Sequence, residues 1–232
     1  MDINARITVL ERSSFFGGAD RDTLIHAAET ANEHPLGKDE QLFHQGEEAS
    51  QSYLLAWGRV RLDQTTSDGR NVVIRYLGPG DLIGTVAVLR RKPYPATPVA
   101  VEDGLTFFWS AGQKAMLIAE HPVLATNAIE LTGSRLEELQ ERLREVATQR
   151  VERRIAATLL RQVRHAGRRV EGGVEIPFAI SRNDLAEMTA TTLHTVSRTL
   201  AAWEHEGIVS GKRGTYLTIA QPHRLVEIAE QA

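Results

Sequence analysis

The chain has 232 residues, of which 42% are hydrophobic and 25% charged, enough for two modest domains with cores of their own. It contains no cysteine, which excludes disulfides, thiol catalysis and cysteine-held zinc or iron–sulfur clusters. The net charge of −3 is unevenly spread: residues 150–232 hold 12 Lys and Arg against 9 Asp and Glu, whereas residues 1–149 hold 15 against 21. A mildly basic C-terminal part beside an acidic N-terminal part suits a nucleic-acid-binding domain with a separate control domain. No apolar run approaches the roughly 18 residues that cross a bilayer. The start, Met1-Asp-Ile-Asn-Ala-Arg6, lacks the basic and apolar regions of a secretory signal, so a cytoplasmic protein with no membrane partner is expected.

Residues 1–31 read as helical, with Phe15, Phe16, Leu24, Ile25 and Ala28 as apolar contacts and Asp20 or Asp22 as a helix start. From Leu36 to about Ser110 the pattern changes to short strand-like runs: Gln41–His44, Tyr53–Ala56, Arg59–Leu62, Val72–Leu77, Val99–Val101 and Leu105–Trp109. Gly46, Gly58, Asp68-Gly69 and Gly78-Pro-Gly-Asp81 separate them, and turns at this spacing predict a β-barrel or jelly roll.

Helix returns near residue 112, with Pro122 suited to a first turn. Ala125, Ile129, Thr132, Leu136, Leu139, Leu143 and Val146 then recur at alternating spacings of four and three, an a/d heptad stripe. Such a stripe commonly packs within one chain. Its narrowness and its place ahead of the C-terminal module favour a parallel homodimer with Ile129, Thr132, Leu136, Leu139, Leu143 and Val146 at the seam. A further helix is predicted over residues 150–166, with Ile155, Leu159, Leu160 and Val163 inward and Arg150, Arg153 and Arg154 as a solvated face. Residues 167–173 read as a polar turn, and Val174–Ile180 as a strand.

Residues 181–207 are the most specific segment. Ser181 and Asp184 have capping-box spacing, and Leu185 and Met188 give the first helix an apolar side. Thr191 or Thr192 can cap a second helix in which Val196, Leu200 and Trp203 face a core and Gly207 ends the run. His194, Ser197 and Arg198 lie at i, i+3 and i+4 and share the opposite face. This is the pattern of a helix-turn-helix, and an arginine there can pair bidentately with guanine in the major groove. Thr192, Thr195 and Arg182 are assigned to the same DNA interface. Residues 208–219 read as strand, glycine-flanked turn and strand, which would make the module a winged helix with Lys212 and Arg213 at its tip for phosphate. The expected domains are a sensor over 1–121, a dimerisation helix over 122–149 and a winged helix-turn-helix over 150–232, an α+β protein.

Several motifs carry a family resemblance: Phe43-His-Gln-Gly46, Tyr53…Gly58-Arg-Val-Arg-Leu62, Leu77-Gly-Pro-Gly-Asp-Leu-Ile-Gly84 and Ser181–Gly207. Together they resemble the CRP/FNR family of bacterial transcription regulators, over nearly the whole chain. The resemblance implies a cyclic-nucleotide-binding-like barrel, a dimer helix and a DNA-reading module. It also implies double-stranded DNA, a second copy of the chain and RNA polymerase as partners. Cyclic-AMP binders of the family place a glutamate after the glycine matching Gly84, where Thr85 stands here. They carry an arginine for the cyclic phosphate in the stretch matching Lys92–Pro98, which has none, and a threonine–serine pair where Leu139 and Gln140 stand. Cyclic AMP is therefore not expected as effector. The oxygen sensors' iron–sulfur cluster is excluded by the lack of cysteine.

His194 in front of Ser197 and Arg198, with Tyr94-Pro-Ala-Thr97, resembles the nitric oxide-responsive NnrR- and DNR-like branch. That branch implies a palindromic TTG…CAA-type site and makes haem a candidate sensor, with His26, His34, His44 and His121 as the histidines of the sensor half. The effector pocket is assigned to Gly84, Thr85, Val86, Tyr94, Ala96, Thr97, Leu139 and Gln140. No catalytic residues and no metal site are expected, because neither a Ser/His/Asp signature nor a phosphate loop nor a His-x-His pair occurs. The competing reading is a cyclic-nucleotide or other small-molecule-binding module that signals through protein contacts.

Overall fold

The computed structural model describes residues 1–211 and 216–230. The chain divides into two compact units, Met1–Asn71 with Arg75–Glu138, and Val72–Ile74 with Leu139–Ala232. The division falls within one long helix and within the strand that holds Val72–Ile74.

The first unit opens with α1 (Ile3–Leu10), a 3-10 turn (Ser14–Phe16) and α2 (Arg21–Thr30). Asp20 caps α2 by accepting from the Thr23 amide at 2.8 Å, which settles the choice between Asp20 and Asp22. Strands β1 (Asn32–Leu36), β2 (Gln51–Trp57), β5 (Leu82–Ile83) and β7 (Gly104–Ser110) form one antiparallel sheet in the order β1-β7-β2-β5. Strands β3 (Val60–Thr65), β4 (Asn71–Leu77) and β6 (Thr97–Ala100) form a second in the order β4-β3-β6. The expected strand at Gln41–His44 shrinks to a single bridge between Gln41 and Val99. His44 and Glu47 there close a local turn instead, the His44 amide donating to Glu47 Oε2 at 3.1 Å.

Strand β2 is buried on both faces, which explains its nearly continuous apolar run. Leu54 and Ala56 join Phe107 and Trp109 of β7 under the helices, against Leu10, Phe15, Phe16, Ala27 and Leu117. Tyr53 and Leu55 point the other way, into the barrel interior with Leu36, Phe43, Val60, Leu77 and Ile83. This is the period-two alternation of a strand between two cores. Helix α3 (Thr85–Arg90) follows β5, and α4 (Ala111–Glu120) follows β7 with a complete capping box between Ser110 and Gln113. Pro122 begins α5 (Pro122–Thr148), as its missing amide permits in a first turn.

A lysine side chain is enclosed among the helices of this core. Lys114 of α4 is fully buried, its Nζ 3.9 Å from the Phe15 ring and 4.7 Å from Trp109, with no hydrogen-bond partner among the described residues. Burial pushes this ammonium down to about 7. The aromatic faces offset part of the cost, by roughly 1–2 kcal/mol. Because the folded value lies below the unfolded one, the folded protein gains stability from this group as pH rises from about 7 towards 10.5. Lys114→Met is expected to raise stability by about 2 kcal/mol at pH 6, with the advantage shrinking at pH 9. Urea unfolding at the two pH values checks this, and a destabilised variant at pH 6 would contradict it.

In the second unit, α6 (Val151–Ala166) is followed by α7 (Arg182–Met188), α8 (Leu193–His205) and α9 (Pro222–Glu230). A four-stranded antiparallel sheet runs β10-β11-β9-β8, from β8 (Arg168–Val170), β9 (Gly173–Ile176), β10 (Val209–Ser210) and β11 (Leu217–Ile219). Two expectations change here. Part of the polar turn at 167–173 is strand β8, paired to β9 through Arg169 and Val174, and the strand expected over Val174–Ile180 ends at Ile176. The hairpin partner gives backbone groups of a polar segment their hydrogen bonds, which hydrophobic pattern alone does not reveal.

Candidate nucleic-acid interface and ligand cavity

The helix-turn-helix is built by its caps. Ser181 accepts from the Asp184 amide at 3.0 Å and Asp184 accepts from the Ser181 amide at 3.0 Å, closing the box at the start of α7. Thr192, rather than Thr191, caps α8 by accepting from the Thr195 amide at 3.1 Å. Between the helices, Ala190 adopts a left-handed conformation with φ 50°, unusual for a residue with a Cβ.

What holds that turn is Arg154. It was expected on a solvated face with Arg150 and Arg153, but it is buried. Its guanidinium donates to the carbonyls of Thr189 (2.9 Å), Ala190 (3.2 Å) and Gln149 (2.8 Å). The correction has a physical reason: the last carbonyls of α7 have no intrahelical partner, and a planar cation with several fixed donors satisfies them together. Arg154→Met leaves these acceptors bare and is expected to cost about 2–4 kcal/mol. It should lower the melting temperature and abolish DNA binding, with Lys at this position rescuing little. Wild-type melting behaviour in Arg154→Met would refute the assignment.

On α8, Val196, Thr199, Leu200 and Trp203 are buried and fix its rotation. His194 and Arg198 are exposed on the opposite side, with Ser197 and Thr195 half-buried beside them. Neither His194 nor Arg198 makes a hydrogen bond or ion pair with another described residue. Thr195 is held to Thr192 by a hydroxyl–hydroxyl hydrogen bond of 2.9 Å. Arg182, assigned to the DNA interface, pairs through its guanidinium with Glu204 of α8 at 3.2 Å, a contact that braces the two helices. Leu193, in the first turn of α8, is 50% exposed beside His194 and was not singled out from the sequence. An exposed apolar side chain there can meet a thymine methyl. Lys212 and Arg213, expected at the wing tip, lie outside the described residues.

The first unit holds a cavity of about 620 Å³ with a mainly apolar lining. Of the residues assigned to an effector pocket, Gly84, Thr85, Val86 and Ala96 line it. Tyr94, Thr97, Leu139 and Gln140 do not. Tyr94 is buried and stacked on Phe43 with ring centroids 3.5 Å apart, and its hydroxyl both donates to the Gln51 carbonyl and accepts from the Gln51 amide at 3.0 Å. Thr97 sits in β6, where its hydroxyl accepts from the Gln45 amide. Leu139 and Gln140 are exposed on α5.

Gly84 is required at the cavity rim. Its φ is 76°, and a Cβ there would meet the Tyr94 ring at 2.8 Å. Thr85 Oγ1 is buried and finds no hydrogen-bond partner among the described residues. Arg75 lines the cavity, and burial lowers its pKa against the opposing pull of Asp81 and Glu138. Arg135, also in the lining, lies 3.5 Å from Asp81 and 3.3 Å from Glu138. In the sequence Arg75 and Arg135 each read as an ordinary surface charge, and only the fold brings them to the cavity.

Along α5 the heptad residues stand out to solvent in the single chain: Ile129 is 73% and Leu143 72% exposed, with Leu136, Leu139 and Val146 also exposed. Thr132 is exposed as well.

A β-barrel bordered by a ligand-sized cavity, in the same chain as a helix-turn-helix with an open polar face, is the build of a DNA-binding regulator. Residues 33–121 match the cyclic nucleotide-binding domain, and residues 153–228 the Crp-like helix-turn-helix domain. The cyclic AMP receptor protein of Thermus thermophilus is 33% identical over 196 residues, covering 84% of this chain and 86% of that protein. The crystal structure of the Thermus thermophilus catabolite activator protein superimposes with a TM-score of 0.55 at 30% identity, covering 94% of this chain and 98% of that one. FixK2 from Bradyrhizobium japonicum shares the fold with a TM-score of 0.75 at 24% identity, covering 87% of this chain and 98% of that one. The chain belongs to the CRP/FNR family of transcription regulators, proteins that bind DNA and act as dimers. Among the described residues no helix is long and apolar enough to cross a membrane.

Proposed function

We propose that two copies of the chain associate along the exposed α5 stripe and read a palindromic TTG…CAA-like site. Each copy places α8 in the major groove. The observation that carries this reading is the sidedness of α8: four buried residues lock its rotation and leave Arg198 and His194 outward with no partner among the described residues. Arg198 reads guanine, Ser197 approaches a neighbouring thymine, and His194 donates or accepts at the next position. A two-fold dimer sets the reading helices about one DNA turn apart. The regulator acts in the cytoplasm on transcription by RNA polymerase.

The effector site is the cavity beside Gly84, Thr85, Val86 and Ala96, with Ile129, Thr132 and Leu136 of the seam in its lining. Occupancy there changes how two α5 helices pack and so the register of the two reading helices. Cyclic AMP is a poor match: Thr85 stands in place of a carboxylate for the ribose hydroxyls, and the segment through Pro95 and Ala96 holds no arginine for the phosphate, the arginines of the lining, Arg75, Arg90 and Arg135, lying outside it. The nitric oxide-responsive reading rests on the look of His194 and of Tyr94–Thr97. Haem does not fit this cavity, because no histidine, methionine or tyrosine lines it. An apolar or amphipathic small molecule suits the lining, with the Thr85 hydroxyl and Arg75 as its polar contacts.

Fluorescence anisotropy of a labelled TTG…CAA palindrome tests the DNA reading. Binding should saturate at two chains per duplex and exceed that of a shuffled duplex by at least 10³-fold at physiological salt. Equal affinity for both duplexes would contradict it, and would favour a module that signals through protein contacts.

A further inference from the structure

The fold brings together three metal-binding side chains from segments far apart in sequence. His26 stands on the last turns of α2, Glu120 ends α4, and His121 links α4 to α5. His26 Nδ1 lies 3.1 Å from His121 Nε2 and 3.3 Å from Glu120 Oε2, and one donor atom from each of the three lies within 4.8 Å of the others. In a tetrahedral site with bonds of about 2.0 Å, donors stand about 3.3 Å apart. Both separations lie near that edge, and with no ion between them the same side chains are at hydrogen-bond and ion-pair distance.

The outer contacts match as well. His121 Nδ1 is 2.9 Å from the hydroxyl of Thr23, one turn before His26 on α2. A histidine that binds metal through Nε2 carries its proton on Nδ1 and donates it to such an oxygen, which fixes tautomer and ring orientation. Thr23 is itself held by the Asp20 cap, and the His121 backbone is pinned at both ends, its amide to Leu117 and its carbonyl to Leu124. The site is half-open, His26 being 36% and Glu120 50% exposed in their side chains, so an ion can enter and a water can complete the shell.

We propose that His26, Glu120 and His121 bind one divalent transition-metal ion of the zinc type. Two imidazoles and one carboxylate select such an ion over magnesium or calcium, which prefer all-oxygen shells. Bound there, the ion ties α2 to the junction from which α5 starts. The site is separate from the cavity, whose lining includes none of the three residues.

The test uses the full-length, untagged protein. Zinc is titrated against a chromophoric chelator, and cobalt(II) serves as a spectroscopic stand-in. The expected result is one ion per chain with micromolar or tighter affinity, visible cobalt bands of a four-coordinate site, and a melting temperature raised by zinc. His26→Gln and His121→Gln should each weaken binding at least tenfold, and Thr23→Val about tenfold. His34→Gln, at a solvent-facing histidine paired with Glu40, should leave it unchanged. His26 and His121 are partly exposed, and Val nearly matches the volume of the buried Thr23, so the variants keep the fold, which circular dichroism verifies. Absence of stoichiometric binding at 100 µM zinc overturns the proposal. So does a His26→Gln/His121→Gln double variant that binds like the wild type, or a His34→Gln variant that loses the ion.

Discussion

Leu143→Glu combined with Val146→Glu is expected to convert the protein to a monomer and to remove binding to a palindromic site. Both residues lie on the exposed stripe of α5, and neither lines the cavity, so the substitution leaves the cavity lining intact. Burying a leucine or valine contributes about 1.5–3 kcal/mol, and each substitution counts twice in a symmetric dimer. Four carboxylates brought to the seam would also have to be desolvated near one another. Together these terms exceed 6 kcal/mol by estimate, a dissociation constant raised by more than about 10⁴-fold. The helix itself should survive, because glutamate is a good helix former and the positions face solvent in the single chain. Affinity for the palindrome should fall to that for one half-site, since the second contact is no longer intramolecular. Light scattering and anisotropy on the same samples check both parts. A variant that remains dimeric would move the interface away from α5.

Arg198→Ala carries the second large effect. A bidentate arginine–guanine contact discriminates by about 1–3 kcal/mol, and a dimer makes two. Specific affinity should therefore drop at least about thirtyfold, with non-specific affinity nearly unchanged. A duplex with the half-site guanines replaced should cost the wild type as much, and the variant almost nothing further. If the variant retains the wild-type preference at that base, Arg198 does not read it.

The DNA-reading module was legible because its signals are local. The capping residues Ser181, Asp184 and Thr192 and the spacing of Val196, Leu200 and Trp203 are all contained in one short segment. The heptad stripe was legible for the same reason. Properties created by distant segments were not. Arg154 reads as surface in an arginine-rich helix, and only the fold shows that it closes carbonyls some 35 positions away. Tyr94 belongs to a motif that resembles an effector segment, yet its ring fills the barrel against Phe43 and its hydroxyl is spent on Gln51. Lys114 looks like an ordinary exposed helix residue until the aromatic rings of Phe15 and Trp109 close over it. His26 and His121 stand 95 residues apart, so no spacing rule could pair them.

The most direct measurement is the selection of bound duplexes from a random DNA pool by the full-length protein. The expected result is enrichment of a two-fold symmetric sequence with a guanine in each half-site and half-site centres about one helical turn apart, lost in Arg198→Ala. Enrichment of a single asymmetric site, or of no sequence at all, would contradict it.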